Sequence, residues 1–277
     1  MKNKSCILLI SIIVTFLAAT AADGGLWINN LYHDNAFVKS AWFANDFITL
    51  FVVVPLLIVS IYLFLVGSQR WFLVLIGLMG YVFYNFAFYL FGASFNMFFL
   101  IYAALVSISA IALILQFLNC DVSSISNKFN ERTPVKWISI YLFFISLMLA
   151  IVEGRMIVAY LISGTIPDTI KLTGLSTSMV FALDFTIVIP FSILAAILLW
   201  QRSSWGYILG IIMLVKGFTY GLVLCVGTVL LAYSDAYGKW DSLMPLYIVL
   251  AVGGLLGCWL LLKNFKDLKY RNDASKI

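Results

Sequence analysis

Charged residues are scarce in this sequence, since Asp, Glu, Lys and Arg make up 10% of its 277 residues. A soluble domain carries about 25%, and a chain with so few charges cannot cover a water-facing surface. The scarcity is matched by a hydrophobic content of 64%. Together they exclude soluble, disordered, fibrous and disulfide-rich secreted classes. We therefore predict an all-α protein that crosses a membrane many times.

Several patterns that carry chemistry are also missing. The sequence has no CxxC pair, HExxH, P-loop, dinucleotide fingerprint or GxSxG, and its single histidine, His33, offers no zinc ligand set. The net charge of +5 is spread over short loops and makes no nucleic-acid patch. We predict no metal, no cofactor and no nucleic-acid partner. The sequence does not decide whether the protein is an enzyme, and the missing motifs favour a protein without enzymatic activity.

Apolar runs of about 20 residues, the length that crosses a bilayer, recur along the chain. They predict eight transmembrane helices, at 5–22, 46–66, 71–91, 96–118, 137–162, 179–200, 205–232 and 242–262. Very short connections, such as 67–70 and 201–204, make the spans that they join antiparallel neighbours.

The basic residues predict the orientation in the bilayer. Twelve fall on the side of the termini: Lys2, Lys4, Arg70, Lys128, Arg132, Lys136, Arg202, Lys263, Lys266, Lys269, Arg271 and Lys276. Three fall on the other side: Lys39, Lys171 and Lys239. Cytoplasmic loops are rich in Lys and Arg, so we predict that both termini are cytoplasmic.

The first span has two interpretations. Lys2, Lys4, the apolar run and Ala19-Thr20-Ala21 also fit a cleavable signal peptide. We favour a retained helix because an internal repeat requires one.

That repeat joins NDFITLFVVVPLL, from Asn45, with LDFTIVIPFS, from Leu183. Its pairs are Asp46 with Asp184, Pro55 with Pro190, Arg70 with Arg202, Trp71 with Trp205, Tyr84 with Tyr220 and Gly92 with Gly227. It predicts two similar four-helix halves in parallel orientation: residues 1–119 and 137–262, joined by a cytoplasmic linker at 120–136 and followed by a basic tail at 263–277. Chance similarity between aromatic-rich spans is the alternative.

VFALDFTIVIP, LLWQRSSWGYILG, WFANDFITLFVVVPLL and YNFAFYLFGASFN resemble a widespread, uncharacterised family of bacterial multi-span membrane proteins of about eight helices. The resemblance covers most of the chain. It implies a bacterial inner membrane and carries over no functional residue.

Charged residues inside predicted spans are functional candidates, because each costs about 2.5–3.5 kcal/mol to insert. From helix depth we predict that Glu153 pairs with Lys216, and that Arg155 meets Asp184, Asp46 or Asp34. Buried pairs that only fix helix register are the alternative. Asp46 has a second alternative as part of a helix cap beside Asn45.

Other polar groups also lie inside the predicted spans. Tyr81 and Asn85 share one helix face, as do Lys216 and Tyr220. Pro55 and Pro190 each free a backbone carbonyl inside a span. The candidate pocket residues are Asp46, Tyr81, Asn85, Glu153, Arg155, Asp184, Lys216 and Tyr220.

The segment 23–45 adds a short amphipathic surface helix, because Trp27, Leu31, Val38 and Trp42 form one stripe. The function predicted from these features is to bind or transport a small polar or amphiphilic molecule or an ion, in a pocket that opens outward. The lipid bilayer is the other expected partner. An enzyme acting on a lipid or isoprenoid headgroup, or a structural partner of a membrane complex, are the alternatives.

Overall fold

The computed structural model describes residues 3–175, 177–234, 238 and 240–266. Eight of its helices are long and apolar enough to cross a membrane. They are α1 (Lys4–Trp27), α2 (Ala36–Leu65), α3 (Gln69–Gly92), α4 (Phe99–Asn119), α5 (Val135–Ser163), α6 (Met179–Trp200), α7 (Ser204–Ala232) and α8 (Met244–Lys263). The predicted all-α, eight-span fold is therefore confirmed.

The chain ends of the bundle lie on one face, which we call the terminal face. It carries the connections at 66–68, 120–134 and 201–203. The opposite, distal face carries those at 28–35 and 93–98 and the described parts of the two that follow α5 and α7. The linker folds onto the terminal face, where the Phe129 ring stacks on Tyr207 at 3.9 Å and its backbone pairs with Phe265. Arg70 donates to the Phe265 carbonyl at 2.8 Å. The predicted basic tail lies outside the described residues from 267 onward.

The central helices are α3 and α7, which pack against each other and are the most enclosed of the eight. Around them, α1 packs on α2 and α4, and α3 also packs on α2 and α4. The same neighbours recur later in the chain, where α5 and α7 each pack on α6 and α8.

Helices α2 and α6 are interrupted in the same way. Thr49–Val53 and Asp184–Val188 are five-residue π-helical segments, and each is followed by a 12-residue α-helix with proline in its first turn. Proline lacks an N–H and clashes with the carbonyl four residues earlier. A wider π-helical turn accommodates both defects, which is why it lies directly before Pro55 and Pro190.

The matching features keep one register. Thr49 corresponds to Asp184, Pro55 to Pro190, and the helix-capping Ser68 to Ser203, all at an offset of 135 positions. A left-handed residue precedes each serine: Gly67 with φ 102° and Arg202 with φ 55°. The counterpart of Asp184 in this register is Thr49, which corrects the predicted pairing of Asp184 with Asp46.

The predicted surface helix does not form as a separate element. Trp27 ends α1, and α2 begins at Ala36, because the Asn35 side chain accepts from the backbone N–H of Val38 and caps the helix there. Val38 and Trp42 are then buried against the bundle. The early start of α2 places Asp46 inside the span, where it is not part of a helix cap.

Candidate functional site

A buried charged cluster lies between α5, α6 and α7. Its members, Glu153, Asp184 and Lys216, are exposed to only 4%, 3% and 6%. Lys216 Nζ lies 3.9 Å from Asp184 Oδ1, and Glu153 is close enough to interact electrostatically with both Asp184 and Lys216. Asp184 is the first residue of the π-helical segment in α6. A feature of backbone geometry therefore places this carboxylate.

Two tyrosines enclose the lysine. Lys216 Nζ lies 4.1 Å from the ring centre of Tyr84 on α3 and 4.2 Å from that of Tyr220 on α7. The Tyr84 hydroxyl also donates to Asp184 Oδ1 at 2.8 Å. Since aromatic faces attract cations and do so more strongly away from water, the rings compensate part of the cost of burying the ammonium group.

The predicted ion pair between Glu153 and Lys216 is corrected by this geometry. The carboxylate that lies within 4.0 Å of Lys216 is that of Asp184, whereas Glu153 Oε2 has no hydrogen-bond partner among the described residues. Depth along the helix axes predicted that all three groups lie inside their spans, but it assigned Asp184 to Arg155. It did not predict the rotation of α6, which the π-helical segment alters.

Arg155 lies elsewhere. Its side chain is exposed, and no ion pair joins it to Asp184, Asp46 or Asp34 within the described part of the chain. It follows Glu153 by two positions, about 200° around α5, so burying one turns the other outward. The structure therefore removes Arg155 from the candidate pocket.

A cavity of about 70 Å³ adjoins the charged cluster. Helices α5 and α8 meet where the Tyr141 hydroxyl donates to the Leu250 carbonyl at 2.8 Å. From this crossing toward the distal face, the cavity lies between Leu149 on α5 and Tyr247 on α8, and Glu153 follows Leu149 by one helical turn. Its lining is mainly apolar, with the polar exceptions Tyr141, Asp184, Ser192, Lys216, Tyr220 and Tyr247.

Asp46 occupies a different polar cluster, on α2. Its carboxylate accepts from Tyr32 at 2.7 Å and from Tyr89 at 2.8 Å, and Gly25 of α1 packs directly against it. Burial, and then the neighbouring Asp46 charge, raise the pKa of the Tyr32 hydroxyl well above its ordinary value. Tyr32 therefore remains a protonated donor.

Tyr81 and Asn85 face inward from α3, where both are fully buried. The Tyr81 and Thr49 hydroxyls lie 2.9 Å apart, and the Asn85 amide is 3.5 Å from the same Thr49 oxygen. Asn85 Oδ1 has no partner among the described residues. These two side chains thus bind the π-helical segment of α2, as Tyr84 binds that of α6.

Sequence reasoning left several contributing residues out of the candidate pocket. Tyr32 lies in a loop with no periodic signal, and Thr49 looked like an ordinary polar residue at a span end. Tyr84 could have been selected, because the repeat pairs it with Tyr220, and the two rings do meet edge-on at 5.4 Å. The described residues hold no group of three or more His, Cys, Asp or Glu that could bind a metal.

Comparison with known proteins adds no further information, since no protein-family model, curated protein or solved structure matches the chain.

Proposed function

We propose that this polytopic membrane protein binds a small amphiphilic molecule between α5, α6, α7 and α8. The observation that supports the proposal is the cavity there, in which Asp184 and Lys216 form a charged end and the remaining walls are largely apolar. Charged groups inside a span are costly and are retained mainly where they serve a function. An amphiphile matches both parts of such a site.

The proposal includes a location and an organisation. The protein lies in a bacterial inner membrane with its terminal face in the cytoplasm, which is supported by the Lys and Arg on that face. It consists of two similar four-helix halves, which is supported by the shared register of α2 and α6 and by the recurring helix neighbours. The resemblance of the sequence to bacterial multi-span membrane proteins also supports the location.

Binding can be tested with three probes that share an alkyl chain: octanol, octanoate and octyltrimethylammonium. The protein is placed in lipid nanodiscs, and the bound probe is measured in excess of empty nanodiscs. A bilayer dissolves the chain as readily as an apolar cavity does, so any excess reflects the polar end of the site. We expect an excess for at least one probe.

A cavity-filling variant provides the structural control. Leu149→Trp places a large ring in the cavity and should weaken binding about tenfold, or ~1.4 kcal/mol. Leu147→Trp makes the same change on the exposed side of α5, where Leu147 is 44% exposed, and should leave binding unchanged. Absence of excess binding for all three probes, or equal loss in both variants, would refute the proposed site.

A further inference from the structure

The charged cluster is unbalanced. When all three groups are ionised, the carboxylates of Glu153 and Asp184 carry two negative charges against the single positive charge of Lys216. The three side chains are almost completely buried, and an uncompensated charge at this depth is expensive. The cluster therefore needs one more positive charge.

The place for that charge is marked by Glu153. Its Oε2 atom is buried and has no hydrogen-bond partner, and within the described residues no Lys, Arg or His nitrogen lies within 4.0 Å of it. Two neighbouring carboxyl groups can hold one proton between them, which makes the cluster neutral. A proton bound to one of the carboxylates is then the simplest source of the missing positive charge.

The cavity lined by Asp184 and Lys216, of about 70 Å³, has room for more than a proton. Tyr141, Tyr220 and Tyr247 contribute aromatic rings to its lining, and five leucines supply much of the rest. Rings of this kind favour organic cations over anions. A site with one surplus negative charge also disfavours an anionic headgroup, even though Lys216 lies nearby.

We infer that the cavity binds a small organic cation of the alkylammonium class, and that this cation exchanges with the proton shared by Glu153 and Asp184. The inference rests on the proposed binding site and specifies its ligand. On binding, the carboxyl O–H bond breaks, the proton passes to water, and the ammonium group takes its place beside the carboxylates. The net charge of the occupied cluster is zero before and after the exchange.

Exchange makes binding depend on pH. Glu153 interacts electrostatically with Asp184 on α6 and with Lys216 and Tyr220 on α7. Tyr84 on α3 donates to Asp184, and Tyr247 on α8 lines the cavity. Because ligand and proton compete for one site, affinity for the cation should fall as pH falls, by about tenfold per pH unit while the site is protonated.

The test uses octyltrimethylammonium, octanol and octanoate with the complete protein in nanodiscs. We expect the cation to bind most tightly and to release about one proton per molecule bound in weakly buffered solution. Glu153→Gln, which leaves Asp184 and Lys216 as a balanced pair, should weaken cation binding at least tenfold and abolish proton release.

Glu131→Gln is the matched control, since Glu131 is exposed on the terminal face, and it should bind as the unaltered protein does. If Glu153→Gln does not yield folded protein, Asp184→Asn removes the other carboxylate and has the same expected result.

The possible outcomes separate the two proposals. If octanol or octanoate binds as tightly as the cation and Leu149→Trp blocks that binding, the site stands and its cation selectivity is wrong. Cation binding without proton release overturns the exchange. A pH-dependent change in tyrosine fluorescence without binding of any probe means a proton site alone, and both proposals then fail.

Discussion

At the residue scale, the stability of the protein interior depends on which neighbouring groups compensate each buried charge. Lys216 has an anion, Asp184, and the faces of Tyr84 and Tyr220 around its ammonium group. Asp46 has two tyrosine donors and no cation within 4.0 Å in the described part of the chain. The two aspartates therefore have different environments, although the sequence predicts both as buried carboxylates inside their spans.

The compensation of Lys216 leads to a stability prediction. Lys216→Met leaves Asp184 and Glu153 without their cation, and loss of one partner of a buried pair costs about 3–5 kcal/mol. Replacing Asp184 as well, in Lys216→Met/Asp184→Leu, should recover part of this loss. Melting temperature in detergent, followed by fluorescence-detected gel filtration, measures both variants.

The identity of the partner is tested by the alternative double variant. Lys216→Met/Glu153→Leu removes the partner that sequence depth had predicted and should recover less than the Asp184 double variant. Equal recovery in the two would mean that Lys216 has no preferred partner, and greater recovery with Glu153→Leu would contradict the ion pair described above.

At the element scale, the π-helical segments decide which side chains face the interior. Each inserts about one extra residue relative to an α-helix and so turns the preceding part of its span about the helix axis. In α6 the segment begins with Asp184, which contacts Tyr84, and in α2 it begins with Thr49, which contacts Tyr81. Both tyrosines belong to α3, so a single central helix contacts both π-helical segments.

Removing the extra residue should misplace Asp184. Deleting Ile187 together with Pro190→Ala should produce a continuous α-helix and turn Asp184 by about 100° relative to the rest of α6. Its contacts with Lys216 and Tyr84 would then be lost, so we expect a fall in melting temperature about as large as that of Lys216→Met. Pro190→Ala alone keeps the residue count and is the control, which should lose less. Equal melting temperatures for the two variants would show that the π-helical segment does not position Asp184.

At the scale of the whole molecule, α1–α4 and α5–α8 have matching helix neighbours, but the helices of the second set pack less tightly at the distal end. In the first, α1 packs along both α2 and α4, and Gly24 and Gly25 bring it close to Phe98 and Asp46. In the second, α5 meets α8 at Tyr141, and the cavity lies beyond this crossing. This difference explains why the cluster around Asp184 adjoins a cavity while Asp46 is sealed among tyrosines.

The orientation of the molecule is open to a direct test by cysteine labelling in intact cells. In a variant whose four native cysteines are replaced, Thr165→Cys on the distal face should react with a membrane-impermeant maleimide added outside. Asn127→Cys on the terminal face should react only after the cells are opened. Both positions are exposed. The reverse pattern would place the termini outside and overturn the proposed topology.

Protein sequencing of the mature N-terminus would separately show whether the first span is retained.

Hydropathy and residue order alone determined the class of this protein, its eight spans and the positions at which prolines disturb α2 and α6. They could do so because a bilayer is a uniform apolar solvent, in which span length and backbone hydrogen bonding are local properties. Sequence also selected Asp46, Tyr81, Asn85, Glu153, Asp184, Lys216 and Tyr220 as buried polar groups, and each is buried.

The tertiary structure decided which of these groups meet. It paired Lys216 with Asp184, turned Arg155 outward, enclosed Asp46 with the loop residue Tyr32, and left a cavity beside Asp184 and Lys216. Contact between helices depends on their rotation and tilt, and one residue changes rotation by about 100°. Packing between distant spans and the π-helical segments set those angles, so no local pattern in the sequence could reveal them.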